Sequence, residues 1–597
     1  MFFKDIHVRI RLFFVVVIIL FLVIIGKVIY IQVFEYDKLS NLSSELWSRN
    51  LPIEGSRGLI YDRNGVVLAD NVTTTSLVLI PNQITDKKKV IKELASILNV
   101  TEEEMAKHVN KKTSIERVHP EGRRLSFEVA DKIAALNLDG VYLVKESKRN
   151  YPYDTNLSHV LGYVGIDNQG LSGLELQYDK YLTGEYGSIK YYSDAKGNKL
   201  KLSEIYEQPQ DGMNITLTIN NDIQLAIERE LDNAVSKYNP EHALAIAMDP
   251  NTGEILGMSS RPNFSPSNYQ NYSTEEINRN LPIWMNYEPG STFKIITLAS
   301  SLEENTVDLQ NDHFYDGGSV RVANAKIKCW KTKGHGAQTF LQVVENSCNP
   351  GFVALGQRLG KERLFSYIEK FGFGKKTGIE LPNEKEGAVA SKETYAKLRN
   401  GGRIGPGDVL NASIGQGDNN FTPMQIAKYI SSIANGGTVV KPTIVKSILN
   451  SDGAEVAKDE IIQYTNEKLG YSDTDDGITI SQESVNVAKE GMRMAASEAG
   501  GTAYNIFKGF NQEVAGKTGS AEAGKDKNGN DLVNAWFVCF APYEKPEVAV
   551  VVMIENGGHG NYAAEVARDV LTQYFGMNES TEINESMTAT PFVEQIR

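Results

Sequence analysis

The chain has 597 residues, enough for two or three domains of ordinary size. Its 41% hydrophobic and 23% charged content is that of folded protein, and a net charge of −13 argues against a general nucleic-acid binder. The 3 cysteines, Cys329, Cys348 and Cys539, are too few and too odd in number for a disulfide-built scaffold.

The first element is apolar. Leu12 to Ile25 is an unbroken hydrophobic run that resumes at Val28 to Ile31 after Gly26 and Lys27. A helix needs about 20 residues to span a bilayer, a length reached here if Lys27 snorkels to an interface or packs on a partner. Lys4, Arg9 and Arg11 precede the run, which predicts a cytoplasmic N-terminus and everything after about residue 34 outside the cytoplasmic membrane. No small-x-small cleavage site follows the apolar core, so an uncleaved single-pass anchor is expected rather than a signal peptide.

Short strand-like runs and polar helices follow. Thr75 to Ile80 reads as a strand and Lys87 to Leu98 as an amphipathic helix. Nothing in this part clusters a nucleophile with a base. Near Met213 the pattern changes: Ile215, Leu217 and Ile219 alternate with polar residues, and a helix opens at Asp222. The apolar runs Ala243–Met248 and Ile255–Ser259, joined by Asp249-Pro250-Asn251-Thr252-Gly253, predict a hairpin. Strand-like Ala535–Phe540 and Val548–Ile554 precede a last helix from about Ala563 to Phe575. Strands at both ends with helices between them predict an α+β domain whose terminal segments share one antiparallel sheet. The predicted divisions are a tail 1–11, an anchor 12–33, an N-terminal domain 35–211, a second domain 213–577 and a disordered tail 578–597, with no appended module after residue 577.

Within the second domain lie three short motifs in order: Ser291-Thr292-Phe293-Lys294, Ser347-Cys348-Asn349 and Lys517-Thr518-Gly519. Each is weak alone. Ser193 to Lys196 repeats the first pattern and Lys376-Thr377-Gly378 the last, but the former sits in a polar stretch without a helix and the latter in an expected loop. Glu288-Pro289-Gly290 before Ser291, with Ile295, Ile296, Leu298 and Ala299 after it, puts the serine at the N-terminus of a buried helix and Lys294 one turn on. A serine is a useful nucleophile only if a neighbour takes its proton. Lys294 can do so when burial and a nearby cation, Lys517, hold it neutral. Ser347 could relay a proton to a leaving amine, and Asn349 offers a donor and an acceptor to a peptide backbone. Thr518 and Lys517 suit a terminal carboxylate, and Gly519 leaves room for substrate backbone beside the strand. The N–H groups of Ser291 and Ser520 would form an oxyanion hole, worth about 3–4 kcal/mol of barrier per donor.

These motifs, with Glu345-Asn346-Ser347-Cys348-Asn349-Pro350, Ala515-Gly516-Lys517-Thr518-Gly519-Ser520-Ala521, Thr377-Gly378-Ile379-Glu380-Leu381-Pro382 and Ser413-Ile414-Gly415-Gln416-Gly417, resemble the class B penicillin-binding proteins. The N-terminal half carries matching stretches: Arg57-Gly58-Leu59-Ile60-Tyr61-Asp62-Arg63-Asn64-Gly65, Arg149-Asn150-Tyr151-Pro152 and Gly170-Leu171-Ser172-Gly173-Leu174-Glu175. One departs from the family pattern, with Asp154 where a glycine is usual. The wording around Ser347 most resembles the sporulation and division-type branch. The resemblance implies a pedestal (dimerisation-type) domain over 35–211 and a D,D-transpeptidase domain over 213–577. It implies a stem-peptide donor ending in D-Ala-D-Ala, β-lactams as acylating agents, relevance to antibiotic resistance, and a polytopic glycosyltransferase partner in the membrane. Rival readings are a β-lactam-hydrolysing or sensing enzyme, a D,D-carboxypeptidase, and a wall-synthesis scaffold without turnover. The residues do not distinguish elongation, division and spore cortex.

No cofactor is required for this chemistry. Cys329, His335 and Cys348 nevertheless fall within about 20 residues, with Asp316 upstream, and these four suit a closed tetrahedral zinc site. If Ser347 and Asn349 face substrate, Cys348 points away, towards that loop. A Cys329–Cys348 disulfide, free thiols and a purely structural His335 are the alternatives.

Overall fold

A computed structural model describes residues 2–39, 48–113, 115–192, 205–322, 325–390, 404–471, 480–525, 527, 529 and 531–576. The Ser193 repeat of the first motif and the tail 578–597 lie outside the described residues. The chain divides into two compact units. One comprises residues 1–56, 72–148 and 184–211, the other residues 57–71, 149–183 and 212–597.

In the first unit the helix Phe2–Phe34 contains the segment Ile6–Phe34, long and apolar enough to cross a membrane. From Ile6 to Phe34 its hydrophobic side chains are exposed, apart from a half-buried Ile31, as a lipid-facing helix requires. The rest of the unit packs the helices Lys87–Leu98, Glu102–Val109 and Phe127–Ala135 around Leu77, Leu79, Val90, Leu94 and Ile133. Asp86 caps the first of these helices and Thr101 the second, the latter through a reciprocal bond with Glu104. A separate antiparallel sheet pairs Ser48–Ile53 with Gly187–Tyr192, and that strand with Ile205–Glu207.

The second unit is built on a five-stranded antiparallel sheet, in the order Ile255–Arg261, Ala243–Met248, Val548–Ile554, Asp531–Ala541, Ala515–Lys525. The first two strands are the expected hairpin, and strands from far along the chain complete the sheet. Both faces are covered, so the strand Val548–Ile554 is apolar at every position and wholly buried. Its alternate residues divide between two cores. Ala549, Val551 and Met553 join the core that also holds Phe293, Ile295 and Ile296. Val548, Val550, Val552 and Ile554 join Ile227 and Leu231 of the helix Asn221–Tyr238 and Ala567 and Val570 of the helix Gly560–Tyr574. Ala515–Lys525 lies at one edge, with a neighbour on one side only.

The three family-like stretches of the N-terminal half meet inside this second unit. Glu175 is fully buried and accepts from Arg57 Nε (2.6 Å) on one oxygen and Arg149 Nε (2.7 Å) on the other. Arg57 also reaches the Glu175 and Asn168 carbonyls and Asp179, and Arg149 the Gly58 carbonyl. Burial pushes the Glu175 carboxyl up, but Arg149 and Arg57 outweigh it and hold it below its ordinary range. Asp154, where the family pattern has glycine, adopts φ 47° and accepts a 2.6 Å hydrogen bond from Ser265. Aspartate tolerates this left-handed conformation, so the turn keeps a glycine-like backbone.

Removing one member of a buried ion network strands the others. Glu175→Ala should destabilise the chain by about 3–5 kcal/mol in denaturant unfolding of the detergent-solubilised protein. A loss under about 1 kcal/mol would show that the arginines need no buried counter-charge.

Candidate active site

Ser291 sits in a single 3-10 turn, Gly290–Phe293, that runs directly into the α-helix Lys294–Glu303. The α-helix therefore opens at Lys294, one turn later than the sequence pattern suggests. The turn is fixed from both ends. Gly290 donates to the Gly415 carbonyl (2.9 Å), and Tyr429 Oη donates to the Thr292 carbonyl (2.5 Å). Gly290 has φ 54°, and a Cβ there would lie 3.0 Å from the Ser520 carbonyl carbon. The Ser291 turn thus rests directly on the edge strand that carries Lys517, Thr518 and Gly519. At Gly519 a Cβ would come within 2.9 Å of Thr292 Cγ2, so this glycine lets the turn close on the strand.

The second motif lies between the short helix Phe340–Glu345 and the helix Asn349–Leu359. Ser347 is held at φ 49°, a left-handed conformation that a serine keeps only when its surroundings impose it. Hydrogen bonds from its N–H to the Val344 carbonyl and from Cys348 N–H to the Val343 carbonyl do so. Its hydroxyl oxygen is where the three motifs meet. Lys517 Nζ donates to it at 2.7 Å and Lys294 Nζ at 3.2 Å. Lys294 also donates to the Ser347 carbonyl (3.0 Å) and Asn349 Oδ1 (2.6 Å), and Lys517 to the Thr518 carbonyl (2.9 Å).

Both lysines are completely buried and no carboxylate pairs with either among the described residues. Burial pushes Lys294 down to about 8. Burial pushes Lys517 well below its ordinary value, and the charge of Lys294 pushes it further in the same direction. Ser291 is half-buried, and among the described residues its hydroxyl makes no hydrogen bond.

Asn349 is engaged at both ends, its Nδ2 donating to the Lys328 carbonyl at 2.8 Å. Thr518 Oγ1 donates to Thr502 Oγ1 at 2.9 Å. Thr502 was not legible as a site residue. Its one signal is the pair Gly500-Gly501 before it, a turn after the helix Gln482–Ser497, where a Cβ at Gly500 would strike Glu345 Oε1. Glu288, beside the Ser291 turn, is pushed up to about 7 by burial and by Asp418 and Glu522. The second Lys-Thr-Gly lies in a loop, as expected: Thr377 N–H donates to Glu384 at 2.7 Å, away from the lysine pair.

The ligand atoms of Asp316, Cys329, His335 and Cys348 lie within 4.8 Å of one another. Asp316 Oδ2 gathers His335 Nδ1 (2.7 Å), His335 N–H (3.1 Å) and Cys348 Sγ (3.4 Å), and Cys329 Sγ stands 3.6 Å from His335 Nδ1. All three cysteines are free thiols. Burial raises the Asp316 carboxyl, but hydrogen bonds from Cys329, Gly318, His335 and Cys348 overcome this and bring it to about 2. The hydrogen bond from Cys348 brings the Cys329 thiol down to about 6, while Cys348 is pushed up.

Comparison with known proteins gives the context. Residues 243–572 match the penicillin binding protein transpeptidase domain, and residues 52–217 the penicillin-binding protein dimerisation domain. Stage V sporulation protein D of Bacillus subtilis is 46% identical over 560 residues, covering 93% of this chain and 82% of the relative. The peptidoglycan D,D-transpeptidase MrdA of Escherichia coli K12 is 27% identical over 612 residues, covering 94% and 93%. The structure of a complex between penicillin-binding protein PBP2 and MreC from Helicobacter pylori superposes with TM-score 0.72 at 23% identity, covering 89% of this chain and 99% of that one. A peptidoglycan synthetase from Bifidobacterium adolescentis gives TM-score 0.67 at 23% identity, covering 89% and 97%. With its own transpeptidase and dimerisation regions matched and a 46% identical relative aligned along nearly all of it, the chain belongs to the class B penicillin-binding protein transpeptidases.

Proposed function

We propose that Ser291 is the acylated nucleophile of a peptidoglycan D,D-transpeptidase and that Lys294, Ser347 and Lys517 form its proton-transfer relay. The observation that carries this is the Ser347 hydroxyl, which accepts from both buried lysines beside the turn bearing Ser291. The chain is a serine-type D-Ala-D-Ala transpeptidase that takes stem peptides as substrate and β-lactams as acylating inhibitors.

The residue roles follow from donor and acceptor counts. Charged Lys294 donates to the Ser347 carbonyl, Asn349 Oδ1 and the Ser347 hydroxyl; when neutral it keeps the first two bonds and gives up the third, which leaves a lone pair for the Ser291 proton. Ser291 Oγ then attacks the carbonyl of the penultimate D-Ala. The developing oxyanion is held by the N–H groups of Ser291 and Ser520, and the N-terminal end of the helix adds positive potential there. With Lys517 donating to it, the Ser347 hydroxyl passes its own proton to the departing D-Ala amine and is reprotonated by Lys294, which hands on the proton taken from Ser291 and is neutral again. The ester left on Ser291 is attacked by an amine of a neighbouring stem, with the proton returning by the same route. Thr518, steadied by Thr502, and the charge of Lys517 anchor the substrate's terminal carboxylate, and Asn349 lines the peptide channel beside Gly519 and Ser520.

The four-residue cluster fits a structural zinc. Tetrahedral Zn–S and Zn–N bonds of about 2.3 and 2.0 Å place ligand atoms roughly 3–4 Å apart, which matches Cys329 Sγ to His335 Nδ1 (3.6 Å) and Cys348 Sγ to Asp316 Oδ2 (3.4 Å), while Asp316 Oδ2 and His335 Nδ1, now hydrogen-bonded at 2.7 Å, would have to part slightly. Such an ion would hold Asp316, Cys329, His335 and Cys348 together and brace the backbone of Ser347 and Asn349, taking no part in the chemistry. The helix Phe2–Phe34 supports a single-pass anchor, and Lys4, Arg9 and Arg11 favour a cytoplasmic N-terminus. A single anchor joined to a non-catalytic 35–211 region and a 213–577 transpeptidase domain suits docking on a polytopic glycosyltransferase.

Incubated with fluorescent penicillin, the intact chain should carry covalent label and Ser291→Ala none. Lys294→Ala should acylate roughly a hundredfold to ten-thousandfold more slowly. Label on the serine variant would remove Ser291 from the mechanism. Metal analysis of the purified chain should find close to one zinc per chain, lost in Cys329→Ser together with a lower melting temperature on chelation. Less than one zinc per two chains, with melting and acylation indifferent to chelator, would exclude the ion.

A further inference from the structure

Between Asp316 and Glu345 the sequence has no acidic residue and five cations, Arg321, Lys326, Lys328, Lys331 and Lys333, in a chain whose net charge is −13. The cations fall on an antiparallel hairpin, Ser319–Val322 with Ala325–Lys328, and on the loop that follows it. The register sorts its side chains. Val320 opposite Ile327 packs on the hydrophobic core, while Arg321 stands directly opposite Lys326, with Lys328 two residues along on the same face. Like charges directly opposite across a strand pair are destabilising, so folding alone gives no reason for this pairing. All five cations are exposed, and among the described residues none is paired with a carboxylate. The face adjoins the catalytic motifs. The Lys328 carbonyl accepts from Asn349, whose other end holds Lys294, and Trp330 Nε1 donates to the Asn346 carbonyl at 2.8 Å.

Resting on the transpeptidase assignment above, we propose that this hairpin face binds the substrate as a polyanion: a glycan strand bearing several uncross-linked stem peptides. Each D-Ala-D-Ala stem ends in a carboxylate. One of them occupies the Lys517–Thr518 anchor, and the carboxylates of neighbouring stems on the same strand meet the unpaired cations beside it. A row of like charges at the mouth of a site raises the local concentration of an oppositely charged substrate and its association rate, and salt weakens both. The hairpin would thus select a strand over an isolated peptide without touching the reacting atoms.

The test compares the full-length detergent-solubilised chain with Arg321→Gln/Lys326→Gln/Lys333→Gln and with the charge-keeping Arg321→Lys/Lys326→Arg. Three substrates are used: a multi-stem glycan strand, a single soluble stem peptide and a β-lactam. The parent chain should prefer strands, with kcat/KM falling about tenfold as salt rises from about 20 to 200 mM. The triple variant should lose about tenfold on strands and most of that salt dependence, and stay within about twofold on peptide and β-lactam. The charge-keeping variant should match the parent. A triple variant that keeps its strand rate, or loses rate equally on all three substrates, would overturn the proposal. So would loss of binding to acidic phospholipid vesicles with strand kinetics intact, since the face would then serve a membrane. If the parent chain failed to acylate with the β-lactam, the transpeptidase assignment itself would fall, a result separate from all of these.

Discussion

Two ammonium groups buried around one hydroxyl, with no acid paired with them among the described residues, set the constraint from which the rest of this site follows. Lys294 and Lys517 are both wholly inaccessible, and among the described residues every acceptor they reach is neutral: carbonyls, an amide oxygen and the Ser347 hydroxyl. In such surroundings two positive charges are costly, and the charge of Lys294 disfavours a second one on Lys517. The pair therefore carries one positive charge readily and a second with difficulty, which suits the proposed roles of a proton acceptor beside a carboxylate anchor. A serine hydrolase that uses an imidazole obtains its base from a side chain titrating near neutrality; here desolvation brings a lysine towards that range.

Holding the pair together takes most of the second unit. Ser291 arrives on a turn that only glycines at 290 and 519 allow to close, Ser347 on a left-handed residue between two helices, and Lys517 on an edge strand whose inner neighbours are buried on both faces. An edge strand is the right place for the third motif, because its free side can accept an extended substrate backbone. The strain at Ser347 is held locally by its own helix end. Cys348, the next residue, places its thiol in the cluster with Asp316, Cys329 and His335.

Chemistry was more legible in the sequence than its supports. Motif order singled out Ser291, Lys294, Ser347 and Lys517, and the structure brings three of their side chains to one oxygen and sets the serine's turn against the same strand. Local periodicity located the helix Lys87–Leu98 and the Ala243–Ser259 hairpin, because amphipathic spacing and turn residues are local signals. Thr502 has no such signal; its role comes from a hydroxyl 16 residues away in sequence. The convergence of Arg57 and Arg149 on Glu175 spans 118 and 26 residues and is visible only once the chain is folded. The cations of residues 321–333 could be counted from sequence, but their common face depends on a strand register that composition does not set.

The most direct measurement is the second-order rate of acylation of the intact chain by a β-lactam as a function of pH. Lys294 is neutral above its value of about 8 and charged below it. The rate should therefore rise with pH, about tenfold per unit on the acid side, and level off above about 8. A rate that is flat between pH 6 and 9, or that falls as pH rises through that range, would contradict a neutral lysine as the acceptor of the serine proton.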